Sequence, residues 1–219
     1  MVLFLTVLSG VSWTVVYVDA IRIGLHERTY AVPVAALALN IAWEAIYSAH
    51  GVTTGISAQS IINVVWTAAD AVIVSTYIRF GRRELPRFVT RGMFLAWGAG
   101  VFLAAFVVQL LFVGEFGWDN GSGYAAFLQN LLMSGLFIAM FVGRRGTRGQ
   151  TLVIAVGKWI GTLAPTIAFG VLGHSAFVLG VGVLCSLFDL AYIGLVLWAR
   201  SAPAALASPA SVDPVSAVA

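Results

Sequence analysis

The sequence predicts an all-α membrane protein, a bundle of seven transmembrane helices with its amino terminus outside and its carboxyl terminus in the cytoplasm. Three observations carry that expectation. Of the 219 residues, 60% are hydrophobic and only 10% charged, against roughly 25% charged in a soluble domain. Seven apolar segments follow one another: about Val2 to Ile21, Tyr30 to His50, Ile56 to Ile78, Gly92 to Gly114, Gly123 to Val142, Thr151 to Val171 and Ala176 to Ala199. Each is near the ~20 residues that cross a hydrocarbon core about 30 Å thick. The cations, finally, fall on alternate connections. Arg22 and Arg28 flank the first, Arg79, Arg82, Arg83, Arg87 and Arg91 crowd the third, Arg144, Arg145 and Arg148 the fifth, and Arg200 follows the last helix. The second, fourth and sixth connections contain no Lys or Arg, so the positive-inside rule is met at every loop.

The first segment lacks a basic n-region and an A-x-A-like cleavage site, and it stays apolar beyond a usual h-region, so it reads as a spanning helix rather than a signal peptide. In the sixth, Gly157 and Gly161 have the GxxxG spacing that lets helices approach closely. Gly170, Gly173, Gly180 and Gly182 are not a phosphate loop, because no strand precedes them; close packing is the first reading and a flexible gate the second. Residues 1–200 form one seven-helix domain, and 201–219, rich in Ala, Pro, Ser and Val, is expected to be a disordered cytoplasmic tail. The formal charge of +3 sits in loops, so it reports topology and not nucleic-acid binding. Cys185 is the single cysteine, which excludes an internal disulfide and leaves a small packing residue rather than a metal ligand.

The informative residues are the polar ones inside the spans. Asn40, Trp43, Glu44 and Tyr47 fall at i, i+3, i+4 and i+7 and share one face of the second helix. That face cannot meet lipid, since an ionisable group at this depth costs roughly 3 kcal/mol or more and normally turns to the bundle interior. The third helix repeats the pattern with Asn63, Trp66, Thr67 and Asp70. Helix one adds Trp13 and Tyr17, helix five Gln129, Asn130 and Ser134, and helix seven Asp189 and Tyr192. At about 1.5 Å per residue, Asp70, Lys158 and Asp189 reach similar depths in the cytoplasmic half. Structural readings stand beside the functional ones. Glu44 and Asp189 could each be hydrogen-bonded acids between helices, and Asp70 with Lys158 could form a buried ion pair, or Lys158 could snorkel. Asp19 beside Arg22 reads as an interfacial salt bridge, Trp97, Trp118 and Trp198 as belt or packing residues, and His26, His50 and His174 carry no assigned role.

A carboxylic acid in an aromatic-lined, water-free chamber is what protonation of an alkene requires. Burial favours the neutral acid, Trp and Tyr faces stabilise a developing cation by roughly 0.5 to 2 kcal/mol each, and dryness prevents early quenching. Asn40 or a second acid would orient the proton. With Asn40-Ile-Ala-Trp43-Glu44 in the second helix, Asp189 in the last, and a seven-helix frame covering nearly the whole chain, the sequence resembles the small integral-membrane terpene cyclases of fungal meroterpenoid and indole-diterpene pathways. The resemblance implies that Glu44 and Asp189 are the catalytic acids. Asn40, Trp43, Tyr47, Trp66, Asp70, Trp13, Tyr17 and Tyr192 are then expected to line the site. Fungal members commonly protonate a terminal epoxide. Bacterial relatives, of the drimentine type, look like cyclases that protonate the terminal alkene of a farnesyl group carried on an indole or a tryptophan-containing diketopiperazine. The Ala, Gly, Val and Arg bias suggests a bacterial chain from a GC-rich genome and hence the second substrate class.

No D-D-x-x-D cluster and no pair of acids at metal-ligand spacing is present to hold magnesium on a diphosphate, so metal-free, proton-initiated cyclisation is expected, with no cofactor. The partners expected are a hydrophobic prenylated small molecule and the lipid bilayer of the cell membrane. Two other classes compete. A seven-helix transporter of the sugar-efflux type shares size and topology, but no P-Q dipeptide or three-plus-one-plus-three repeat is found. A retinal protein would need its Schiff-base lysine in the last helix, whereas Lys158 is the only lysine and lies in the sixth.

Overall fold

A computed structural model describes residues 1–56 and 58–201. Of the tail expected to be disordered, only Ser201 lies within them, as the last residue of a helix; 202–219 and Ser57 lie outside the described residues. The elements are α1 (Val2–His26), α2 (Val34–Thr54), α3 (Ala58–Phe80), a 3-10 turn (Gly81–Glu84), α4 (Arg91–Arg144), α5 (Leu152–Pro165) running into a π-turn (Thr166–Val171), and α6 (Ala176–Ser201). There is no strand among the described residues.

Local chemistry sets the boundaries. Residues 27–33, the first four residues of the expected second helix included, are irregular because Pro33 disfavours helical backbone in the residue before it; Pro33 then caps α2. Thr90 and Thr151 start α4 and α5 by accepting the backbone N–H of Met93 and Ile154 at 3.2 and 3.1 Å. Pro165 has no N–H to continue the α-ladder, and the chain passes into the π-turn directly after it.

The fourth and fifth expected helices form the single element α4, interrupted only at Gly117, whose φ of 73° and ψ of 177° are not helical. A straight helix of 54 residues would reach about 80 Å, far more than one bilayer. At Gly117 the chain instead doubles back. A Cβ on Gly121 would lie 2.7 Å from the Phe112 carbonyl oxygen. Farther along, Gln109 Nε2 donates to Gln129 Oε1 at 2.7 Å, although the two are twenty residues apart in sequence. Thus 91–116 and 118–144 lie side by side as the arms of a hairpin with almost no loop.

Among the described residues, five helices are long and apolar enough to cross a membrane: Val2–His26, Ser60–Glu84, Arg91–Arg144, Leu152–Val171 and Ala176–Ser201. α2 is not among them, since Asn40, Glu44, Tyr47, Ser48 and His50 lower its mean hydropathy. The elements close into a ring in which each packs on two others, in the order α1, α3, α2, α4, α6, α5 and back to α1. Inside lies a core of Val16, Tyr17, Ile73, Met133, Phe137 and Tyr192, drawn from α1, α3, the second arm of α4, and α6. Small residues seal the seams. Ala38 and Ala42 meet Ala105 between α2 and α4. On α5, a Cβ on Gly157 would lie 2.8 Å from Val16 and one on Gly161 2.8 Å from the Trp13 indole, as their GxxxG spacing anticipates.

The Arg-bearing connections gather at one end. Glu84 bonds Thr29 at 2.9 Å and pairs with Arg148 at 2.9 Å, while Glu27 accepts the backbone N–H of Gly149 at 2.6 Å. Asp19 pairs with Arg22 at 2.6 Å, the expected salt bridge, and also accepts from the Thr151 hydroxyl.

Candidate active site

The face predicted on α2 turns inward, and its residues meet partners from three other elements. Glu44 is 2% exposed. Its Oε1 accepts from the Tyr17 hydroxyl of α1 and from Asn40 Nδ2 at 3.2 Å, one helical turn away. Asn40 Nδ2 also donates to the Tyr17 oxygen and, at 3.0 Å, to Asp70 Oδ2 of α3. Asp70 is itself buried. Two carboxyl groups and a phenol therefore share one amide, and no ion pair to either carboxyl group is present among the described residues. Glu44 Oε2 has no hydrogen-bond partner among the described residues and no access to solvent. A carboxyl oxygen in that state is where the acid's proton is free of competing acceptors.

Aromatic rings continue from this group along two of its elements. Trp66 stacks on Tyr17, with centroids 5.8 Å apart, and anchors its indole N–H on Thr14 at 3.2 Å. Trp43 fixes its own N–H on the Ser122 carbonyl at 3.0 Å and lies 4.9 Å from Tyr47. Tyr47 in turn meets Trp118 edge-on, and Trp118 is stacked flat on His50 at 3.7 Å. The buried hydroxyl of Tyr47, one turn past Glu44, also has no partner.

A second polar centre lies between the second arm of α4, α5 and α6. Lys158 Nζ contacts Asp189 Oδ1 at 2.7 Å and Oδ2 at 3.0 Å, and donates to Ser134 Oγ at 2.6 Å. Both charged groups are essentially inaccessible. The lysine thus pairs with Asp189 and not with Asp70 as the depth argument allowed, because α5 packs on α1 and α6 whereas α3 packs on α1 and α2. Tyr192, one turn beyond Asp189, is buried against Phe137 with its hydroxyl unpartnered.

Of the expected site residues, Tyr17, Asn40, Glu44, Asp70 and Trp66 come together. Trp43 and Tyr47 extend the same α2 face toward the hairpin turn. Asp189 and Tyr192 belong to the second centre, joined to the first through the core that Tyr17 and Tyr192 share. Trp13 stands apart, packed over Gly161 of α5. Sequence reasoning passed over Gln109, although a lone amide in an otherwise apolar span was a signal; it read Trp118 as a belt or packing residue and gave His50 no role. A groove of about 480 Å³ opens between Leu128, Leu132, Gly135, Leu184 and Phe188, on the outer side of the second α4 arm and α6. It does not reach Glu44.

A multi-pass, all-helical membrane protein with two buried carboxyl groups bonded to a tyrosine and an asparagine is the class that this fold and site define. The family model of Pyr4-like transmembrane terpene cyclases matches residues 1–200, and the chain belongs to that family. It is 25% identical over 202 residues to the terpene cyclase pyr4 of Aspergillus fumigatus, covering 87% of this chain and 83% of the relative. Identity is 27% over 170 residues to the Pyr4-family terpene cyclase mfmH of Annulohypoxylon moriforme, covering 75% and 68%. It is 26% over 197 residues to the terpene cyclase adrI of Penicillium rubens, covering 89% and 77%. No solved structure matches. The protein is therefore a membrane-embedded terpene cyclase acting on a hydrophobic substrate, and the transporter alternative gains no support from any of these relatives.

Proposed function

We propose that the chain is a class II cyclase, in which Glu44 protonates the terminal alkene of a farnesyl group carried on an indole or diketopiperazine, without metal or other cofactor. The observation that carries the reading is the state of Glu44: one oxygen is engaged by Tyr17 and Asn40, and among the described residues the other is buried without a partner and neither it nor Asp70 has an ion pair. In the first step the O–H bond of Glu44 breaks as a C–H bond forms at the less substituted alkene carbon, leaving a tertiary cation and a carboxylate. The internal alkenes then close rings onto the cation, and loss of a proton from carbon ends the reaction as a net isomerisation. Trp66, Tyr17, Trp43 and Tyr47 supply π-faces to the migrating charge. Asp189 has a different part. In contact with Lys158 through both oxygens, it is placed to stabilise a cation or accept the terminating proton.

The same proposal takes the chain across the membrane seven times, amino terminus outside, with the two arms of α4 counted separately and α2 as a span enclosed by its neighbours. The break at Gly117 and the gathering of the Arg-bearing loops at one end support that topology.

The test is to incubate membranes containing wild type or Glu44→Gln with a farnesylated indole, in the presence of a chelator. Cyclised product from the wild type and none from an equal amount of folded Glu44→Gln is the expected result. Full turnover by the amide variant would overturn Glu44 as the donor.

A further inference from the structure

Asn40 sits between the two carboxyl groups, and an amide can face them in either of two ways. With its N–H₂ toward Glu44 and Asp70 it donates, as observed; turned over, its carbonyl would accept the acid's proton and hold it in the ground state. Which way it faces is decided by a chain of amides that begins at a backbone carbonyl. The Leu39 oxygen can only accept, so the Gln109 group 3.3 Å from it is the donor, Nε2. The same Nε2 donates to Gln129 Oε1 at 2.7 Å, which turns Gln129 Nε2 onto Asn40 Oδ1 at 3.4 Å. With its carbonyl taken, Asn40 can present only donors to the acids. Gln109 and Gln129 are both buried, so water is not at hand to replace either bond.

We infer that Gln129, braced by Gln109, is a positioning residue for the cyclisation: it locks the amide of Asn40 so that the proton of Glu44 stays on the free oxygen facing substrate. The inference rests on the reading of Glu44 as donor. It also gives the hairpin at Gly117 a chemical purpose, since only the doubled-back arms bring Gln109 and Gln129 together.

A double-mutant cycle on the full-length enzyme, with a farnesylated indole as substrate, tests it. Gln129→Met keeps the length of the side chain but not the donor. It should lower kcat about tenfold or more, while KM moves by less than about threefold, because the lost orientation matters only when the proton is transferred. In an Asn40→Leu background the same change should have no further effect, since Gln129 acts through Asn40. Gln109→Met should weaken kcat in the same direction, and Gln129→His, which restores an N–H, should recover part of the loss. Wild-type kcat in Gln129→Met, or losses that simply add in the double variant, would overturn the inference. If Gln129→Met does not fold, the Gln109→Met and Asn40→Leu pair decides by the same criterion. The donor reading is judged separately by Glu44→Gln, whatever the cycle gives.

Discussion

Replacing Lys158 by Met should separate the structural from the chemical part of the second polar centre. The ammonium touches both oxygens of Asp189 and the Ser134 hydroxyl within 3.0 Å, and all of it is sealed from solvent. Removing one partner of a buried pair leaves an uncompensated charge and costs about 3–5 kcal/mol. For a chain of this size that is a fall in Tm of about 6–20 °C. Replacing both partners by apolar groups, Lys158→Met with Asp189→Leu, removes the orphaned charge and should recover most of that loss. The assay is thermal unfolding of detergent-solubilised protein, followed by loss of the monodisperse species, alongside turnover at a temperature where every variant is folded. If Asp189 is catalytic, the double variant is stable and inactive. A Tm for Lys158→Met equal to wild type would refute the energetic argument, and a stable, fully active double variant would remove Asp189 from the chemistry.

Two further outcomes are expected. Tyr17→Phe keeps the ring stacked on Trp66 but removes the hydroxyl on Glu44, so kcat should fall about tenfold with little change in Tm, measured by product formation at equal protein; undiminished kcat would show the phenol to be packing alone. Gly157→Leu drives a side chain into Val16, 2.8 Å from the first added carbon, and should lower stability by about 1–3 kcal/mol in the same unfolding assay, whereas an unchanged midpoint would mean that α1 and α5 are not in close contact.

The inward face of α2 was legible because Asn40, Trp43, Glu44 and Tyr47 recur at helical intervals in a segment whose other residues are mostly apolar. Local periodicity says which residues share a side, and lipid says which side it must be. The partner of Lys158 was not legible. Depth along a helix follows from residue count, but which helix stands next to which is decided by how small residues such as Gly157, Gly161 and Ala105 let the helices pack. The pairing of Gln109 with Gln129 was hidden for a related reason. Residues 115–122 read as a loop, while the chain stays helical up to Gly117 and resumes directly after it, and only that tight reversal sets the two amides face to face. The resemblance carried by Asn40-Ile-Ala-Trp43-Glu44 pointed to the family to which the chain belongs.

Ring closure imposes an order on biosynthesis. Of the six helices among the described residues, α1 is made before the others, yet one of its two flanks is α5, which begins only at Leu152. Until then Trp13 and Val16 have no glycine seam to rest on, and the helix that carries Tyr17 lacks its α5 flank. A nascent chain halted in the loop before α5 would therefore hold its acid in a half-built wall: the enzyme becomes competent late, when its newest helices reach back to secure its oldest.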